Sequence, residues 1–438
     1  MSKPALIRAL GLLDATCLVV GCIVGVGIFR TASSIATHVS SPLLTLGLWA
    51  VGGVVSVCGA LCYAELAAMF PASGGDYVYI SRIYGSFWGF LFGWTKLFIE
   101  RTGTIAILGF VFAEYTRRLL PYDDATLHWV AGGAIGLLTA VNVAGVRLGT
   151  WVQNIFTVLK IIALACLIVT GFLAFASPAR AAVDWSLQAI TLPTLQSLGV
   201  AFVFVLWTFG GWTEATYVAE EVREPVRNIP RAVIGGVLLT TVLYVLVNWS
   251  YLVFIPVTEL PKTPMVAASV MQQALGPGGA RFIAVMVACS AFGALNGYIL
   301  TGARILYAIG KDHALFRRLS AVHPRFHTPA LALWTNAAVA ILLVCTKTFE
   351  QIMTYSTVVI SVFFVMAIIG VIILRHRRPR EARPYRVWGY PVTPLIFAVT
   401  MIGFILDVTI KQPAEAAFGF GLMALGVPLY WWSQRFGT

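Results

Sequence analysis

Two glycine-bearing runs carry the residues with the clearest chemical potential. They are Gly21-Cys22-Ile23-Val24-Gly25-Val26-Gly27-Ile28-Phe29 and Trp207-Thr208-Phe209-Gly210-Gly211-Trp212-Thr213-Glu214, each inside an otherwise apolar stretch. Glycine weakens a helix by about 1 kcal/mol relative to alanine, so closely spaced glycines invite unwinding. Backbone unwound within a bilayer exposes N–H and C=O groups and survives only where it lines a protein cavity, where a polar ligand is a natural partner. Gly21 and Gly25 also form a GxxxG pair, and small residues serve helix packing. Either cluster alone reads as packing. Two clusters at corresponding places, with Glu214 beside the second, point to a binding site.

Charges within apolar runs add to this. Lys160, in TVLKIIALACL, is an isolated cation ten residues into its run, too deep for easy snorkelling. Lys96 and Glu100 are four apart on one helix face and read as a local ion pair, with Arg101 next to them. Glu214 follows the second glycine cluster as a cap or gate, and Glu65 is expected near the cytoplasmic face.

The elements that must position these residues follow from composition. Of 438 residues, 59% are apolar and 11% charged, against about 45–50% and 25% in soluble domains, and mean hydropathy is +0.86. So few charges cannot cover a water-exposed surface, which excludes soluble, disordered and fibrous classes. A spanning helix needs about 20 apolar residues, and apolar runs bounded by Pro, Gly or charge give twelve spans: 13–38, 43–69, 85–118, 126–145, 150–176, 194–219, 231–255, 281–310, 329–346, 350–374, 390–410 and 416–433. The chain reads as an all-α polytopic membrane protein. Its two glycine breaks lie five spans apart, in matching positions of two five-span halves.

The net charge of +12 would suggest nucleic acid in a soluble protein, but here its distribution decides. With the N-terminal side cytoplasmic, 18 basic residues fall on that side and 7 on the other, and Arg30, Lys96, Arg101, Lys160 and Arg304 fall inside spans. That excess places both termini in the cytoplasm, in a plasma (inner) membrane. The run RHRRPREARPYR, 375–386, then faces anionic headgroups and not nucleic acid. The N-terminal stretch has no cleavage pattern and reads as the mature first span. The seven cysteines all sit in apolar runs without a CxxC pair, so they suggest neither disulfides nor zinc. Pro324 separates His323 from His327, which argues against a metal pair there. No Walker, HExxH or GxSxG sequence supports ATP-driven or hydrolytic chemistry, and neither enzyme activity, a metal nor a cofactor is expected.

Several motifs in order carry a family resemblance: GCIVGVGIF in the first span, FPASGGDYVYISRIYG at 70–85, WTFGGWTEATYVAEEVREPVRNIPRA at 207–232, FGALNGYILTGAR at 292–304, and the following GKDHALFRRLSAVHPRFHTP. From about residue 10 to 390 the chain resembles the L-type amino acid transporter (LAT) family of the amino acid–polyamine–organocation superfamily. The resemblance implies a LeuT-type fold with broken helices 1 and 6. It divides the chain into a cytoplasmic segment 1–12, five-helix repeats 13–176 and 194–374 related by inversion, a basic loop 375–389 and two peripheral helices within 390–433. It implies an α-amino acid between the two breaks. Gly25, Val26 and Gly27 would donate to the carboxylate. Carbonyls around Ile23, Trp207 and Gly210, with Phe209 in the same segment, would receive the amine. Half-helix ends suit such a zwitterion independently. Trp207 stands where the family has an aromatic gate, and Val26 replaces a serine common in relatives, leaving carboxylate recognition to backbone.

Lys160 matches a fifth-span lysine that stands in for sodium in sodium-independent members, and it is also a candidate proton carrier. Arg101 is matched to a gating or structural position. Relatives that pair with a glycoprotein heavy chain have a cysteine between the third and fourth spans. The loop LPYDDATLHW has none, so no covalent heavy-chain partner is expected. The expectation is sodium-independent transport of neutral L-amino acids, by exchange or with protons. Its rivals are a cationic amino acid or polyamine transporter, a channel, for which no filter or charged ring is visible, and an amino-acid sensor.

Overall fold

The computed structural model describes residues 6–176, 195–346 and 349–435. Lys3, Arg180 and Lys347, counted in the charge balance, lie outside the described residues. Every regular element among these residues is helical; the extended backbone contributes a single bridge, Leu10 to Val222.

The first expected span is split into α1 (Leu12–Ile23) and α2 (Thr31–Ala36), and the sixth into α9 (Leu195–Thr208) and α10 (Glu214–Tyr217). Between these come α3 (Pro42–Met69), α4 (Asp76–Tyr84), α5 (Ser86–Thr95), α6 (Arg101–Leu119), α7 (Asp124–Val143) and α8 (Val146–Phe175). After α10 follow α11 (Pro225–Phe254), α12 (Val266–Leu275), α13 (Pro277–Asp312), α14 (Ala330–Thr346), α15 (Phe349–Arg377), α16 (Val392–Lys411), α17 (Pro413–Ala424) and α18 (Gly426–Gln434). Eight helical stretches among the described residues are long and apolar enough to cross a membrane. Shorter α1, α9 and α14, together with the α5–α6 unit, complete the twelve-span pattern.

Three features depart from the simple span pattern. The third span is interrupted by a π-turn over Lys96–Glu100, where the Thr102 hydroxyl donates to the Leu97 carbonyl at 2.8 Å. The short helices α4 and α12 lie between spans. The seventh span starts at Pro225, six residues before its expected edge at 231, because proline at a first helical position forfeits no hydrogen bond.

Small residues set helix separation. A Cβ on Gly53 of α3 would lie 2.1 Å from Thr241 of α11, and one on Gly21 of α1 would lie 2.3 Å from Gln153 and Thr157 of α8. Long-range ion pairs tie inter-helix loops to the bundle. Glu65 at the end of α3 accepts from Arg375 at 2.5 and 3.1 Å and from the Val387 N–H at 2.7 Å, with Arg383 at 3.4 Å. The basic run is therefore divided, with Arg375 and Arg383 turned inward to Glu65 and Arg377, Arg380 and Arg386 exposed. Glu221 and Arg304, both fully buried, pair at 2.6 Å.

Candidate functional site

The two helix breaks meet across a cavity of about 190 Å³. In the first, α1 ends at Ile23 and the Gly25 N–H turns back to the Ile23 carbonyl at 2.7 Å. The N–H groups of Val26, Gly27 and Ile28 have no backbone acceptor among the described residues. Side chains from three other helices hold the neighbouring carbonyls. Lys160 of α8 donates to Gly21 at 2.5 Å, Tyr244 of α11 to Ile23 at 2.8 Å, and Ser290 of α13 to Val24 at 3.1 Å and Gly25 at 3.0 Å. With its carbonyls occupied and its N–H groups open, this break is built to take an anion. The Ile23 carbonyl, expected as an amine acceptor, already receives two donors. The Gly25 N–H, expected to donate to a carboxylate, turns to Ile23, although Gly25 lines the cavity with Val26 and Gly27.

In the second break the Gly210 N–H bonds the Trp207 carbonyl at 3.0 Å, and no protein donor among the described residues reaches the Gly210 carbonyl. Gly211 has φ +106°, and a Cβ there would lie 2.9 Å from the Cys22 carbonyl carbon. Both the left-handed backbone and the contact between the two breaks require glycine at this position. Trp207 lines the cavity, its ring edge 3.2 Å from where a Gly27 Cβ would stand. Phe209 points elsewhere. It is buried with ring centroids 6.1 Å from Trp49 and 5.1 Å from Tyr244, and its side chain supports the break without reaching the cavity.

The structure brings Arg101 and Glu214 together. The guanidinium donates to both carboxylate oxygens, at 2.9 and 3.2 Å, and Thr301 of α13 donates to the same carboxylate at 2.5 Å. Arg101 also lies over the rings of Tyr217 and Tyr298, 5.2 and 4.9 Å from their centroids. The expected Lys96–Glu100 pair forms at 2.7 Å on the π-turn, and both residues line the cavity. Lys160 lies behind the first break, and its side chain does not reach the cavity.

Sequence reasoning missed several lining residues: Thr104 of α6, Tyr298 of α13, Ser361 and Phe364 of α15, and Phe397 of α16. Tyr298 lies inside the quoted motif FGALNGYILTGAR, and Thr104 follows Arg101 by three residues. The α15 and α16 residues sit in ordinary apolar runs and carry no signal. Also missed was the buried carboxylate Asp76, which accepts from the Tyr63 and Tyr217 hydroxyls at the foot of α10.

Comparison with known proteins agrees with this architecture. A sequence model of the amino acid permease family matches residues 10–432. The mouse b(0,+)-type amino acid transporter 1 is 32% identical over 419 residues, covering 94% of this chain and 85% of the relative. The serine/threonine exchanger SteT of Bacillus subtilis is 30% identical over 432 residues, 98% of this chain and 97% of the relative. The human large neutral amino acids transporter small subunit 2 is 31% identical over 436 residues, 97% of this chain and 80% of the relative. The chain belongs to the amino acid permease family, in the L-type amino acid transporter branch of the amino acid–polyamine–organocation superfamily, and is a membrane transporter, not an enzyme.

Proposed function

We propose that this protein is a sodium-independent secondary transporter of neutral L-amino acids, working by exchange or proton coupling in the plasma membrane with both termini cytoplasmic. The two five-helix repeats, 13–176 and 194–374, rock about the cavity to give alternating access. The basic loop 375–389 and the peripheral helices within 390–433 follow the second repeat. The absence of cysteine from LPYDDATLHW supports a transporter without a covalent heavy-chain partner.

One observation carries the choice of neutral substrate. The ionic side chains lining the cavity are matched within the protein, Glu100 by Lys96 and Glu214 by Arg101. A cationic side chain would need an uncompensated acid, because desolvating a charge without a partner costs several kcal/mol. A zwitterion needs the open N–H groups of Val26, Gly27 and Ile28 at one end and the Gly210 carbonyl at the other. The relatives named for serine/threonine exchange and for large neutral amino acids support the same reading. In proteoliposomes preloaded with unlabelled amino acid, labelled serine, alanine and leucine are expected to show counterflow and arginine none. Counterflow of arginine alone would reverse the assignment, and binding without any counterflow would make the protein a sensor.

Trp207 gives this reading a graded test. A large aromatic covering the bound side chain contacts leucine over more area than alanine. Trp207→Ala is expected to weaken leucine and phenylalanine about tenfold, or ~1.4 kcal/mol, and alanine and serine by less. Equal losses for all four, or no loss, would remove Trp207 from the side-chain pocket.

A further inference from the structure

A second recess lies apart from the transport cavity, at the end of α11 where the basic loop crosses it. Arg227, Arg231, Ile234 and Gly235 of α11 form one wall, Pro384 and Tyr385 of the loop the other, around a groove of about 510 Å³. Glu65 fixes the loop there by engaging Arg375, Arg383 and the Val387 N–H.

The charge on this groove is positive and little compensated. Glu224 approaches Arg227 only to 3.8 Å, with both side chains mostly exposed. Glu381 of the loop pairs with Arg378 at 3.5 Å. Arg231 and the nearby loop residue Arg386 are exposed and have no acidic partner within 4.0 Å among the described residues.

The same helix face then changes character along its length. Past Arg227 and Arg231 comes Gly235, where an added Cβ would meet nothing within 4 Å. Beyond it Leu238, Leu239 and Val242 are 50%, 41% and 56% exposed. Spacings of three and four residues keep these positions on one face. From Arg231 to Val242 is about 16 Å of helix at ~1.5 Å per residue, close to the ~15 Å hydrocarbon depth of one leaflet. Two cations above an open slot and an apolar strip one leaflet deep complement an amphiphile with an anionic head. A free phosphate ion would leave the slot and the strip unused.

We propose that this groove binds an anionic phospholipid, its phosphate between Arg227 and Arg231 and an acyl chain over Gly235 toward Val242. Basic pockets beside spanning helices recognise such headgroups at the membrane surface. The site holds the loop against α11, the helix whose Tyr244 supports the first break, so occupancy stabilises the bundle from outside the transport cavity.

The test uses the full-length protein in neutral detergent, titrated with dioleoylphosphatidylglycerol, dioleoylphosphatidylcholine or glycerol 3-phosphate, with lipid retention read by native mass spectrometry and stability by melting. The anionic lipid is expected to be retained and to raise the melting temperature, the other two to do neither. Arg227→Gln with Arg231→Gln should weaken it roughly 30-fold, at about fivefold (~1 kcal/mol) per arginine. Arg377→Gln with Arg380→Gln, outside the groove, should not change retention. Gly235→Leu keeps both arginines and improves helix propensity, so it folds while filling the slot, and it should also weaken retention. Equal retention of phosphatidylcholine, equal binding of glycerol 3-phosphate, or full retention by both groove variants would overturn the proposal.

Discussion

Gly27→Leu is expected to lower amino acid affinity by more than about 100-fold, ~2.7 kcal/mol, while the helix bundle stays folded. A Cβ at Gly27 would stand 3.0 Å from Thr208 Cγ2, 3.2 Å from its Oγ1 and 3.2 Å from the Trp207 ring. The three further carbons of leucine must displace Trp207 or enter the cavity of about 190 Å³ beside the open N–H groups. Both routes remove what the substrate uses, and neither breaks an α-helix, because Gly27 lies between α1 and α2 at the start of a single 3-10 turn, Gly27–Phe29. Gly25 is the contrast. Its added Cβ would approach only the Ile23 and Cys22 carbonyl oxygens, at 3.9 and 4.0 Å, so Gly25→Ala is expected to bind nearly as the parent does. Thermal-shift titrations with serine and leucine on both variants decide the matter. Normal affinity in a stable Gly27→Leu protein would reduce the first glycine cluster to helix packing.

That contrast shows which parts of the site were legible in the sequence. A glycine pair or a lone charge in an apolar run is a local irregularity, and local irregularities mark both breaks and Lys160 without knowledge of the fold. The division of labour within the GxxxG pair is not local. Gly21 packs against Gln153 and Thr157 of α8, whereas Gly25 opens to the cavity, and only the neighbouring helices distinguish them. Partner identity is hidden for the same reason. Glu214 meets an arginine 113 residues away and Glu65 one 310 residues away, and no periodicity within a single chain encodes such separations. Tyr244 and Ser290, which occupy the carbonyls of the first break, look like ordinary polar residues of apolar spans until the helices are assembled. Phe209 makes the same point for side chains: its place within the motif does not reveal that its ring turns toward Trp49 and Tyr244.

Uptake is expected to be unchanged when choline replaces sodium at fixed ionic strength, and Lys160→Ala is expected to reduce transport at least about tenfold without making it respond to sodium. The fully buried Lys160 ammonium lies 2.5 Å from the Gly21 carbonyl. One turn earlier on α8, Thr157 donates to Cys17 at 3.0 Å, and from α13 Ser290 reaches Val24 and Gly25. Protein donors thus occupy carbonyls of α1 and of the break itself that a cation would need as ligands. A second cation 4 Å from this ammonium would also meet about 4 kcal/mol of repulsion at an effective dielectric of 20. Alanine at this position leaves the Gly21 carbonyl buried without its donor, a penalty of about 1–3 kcal/mol, on the last turn before the open N–H groups. Lys160→Gln separates the two contributions, since it can keep a donor without the charge. Recovery of transport in that variant would assign the role to the hydrogen bond, and continued loss would assign it to the ammonium. An imposed proton gradient then distinguishes the coupling modes in the unmodified protein. Acceleration by inward protons would mean symport, and indifference to them would mean exchange. Strict dependence on sodium would defeat this account of Lys160 altogether, because the ammonium holds the carbonyl that such an ion would need.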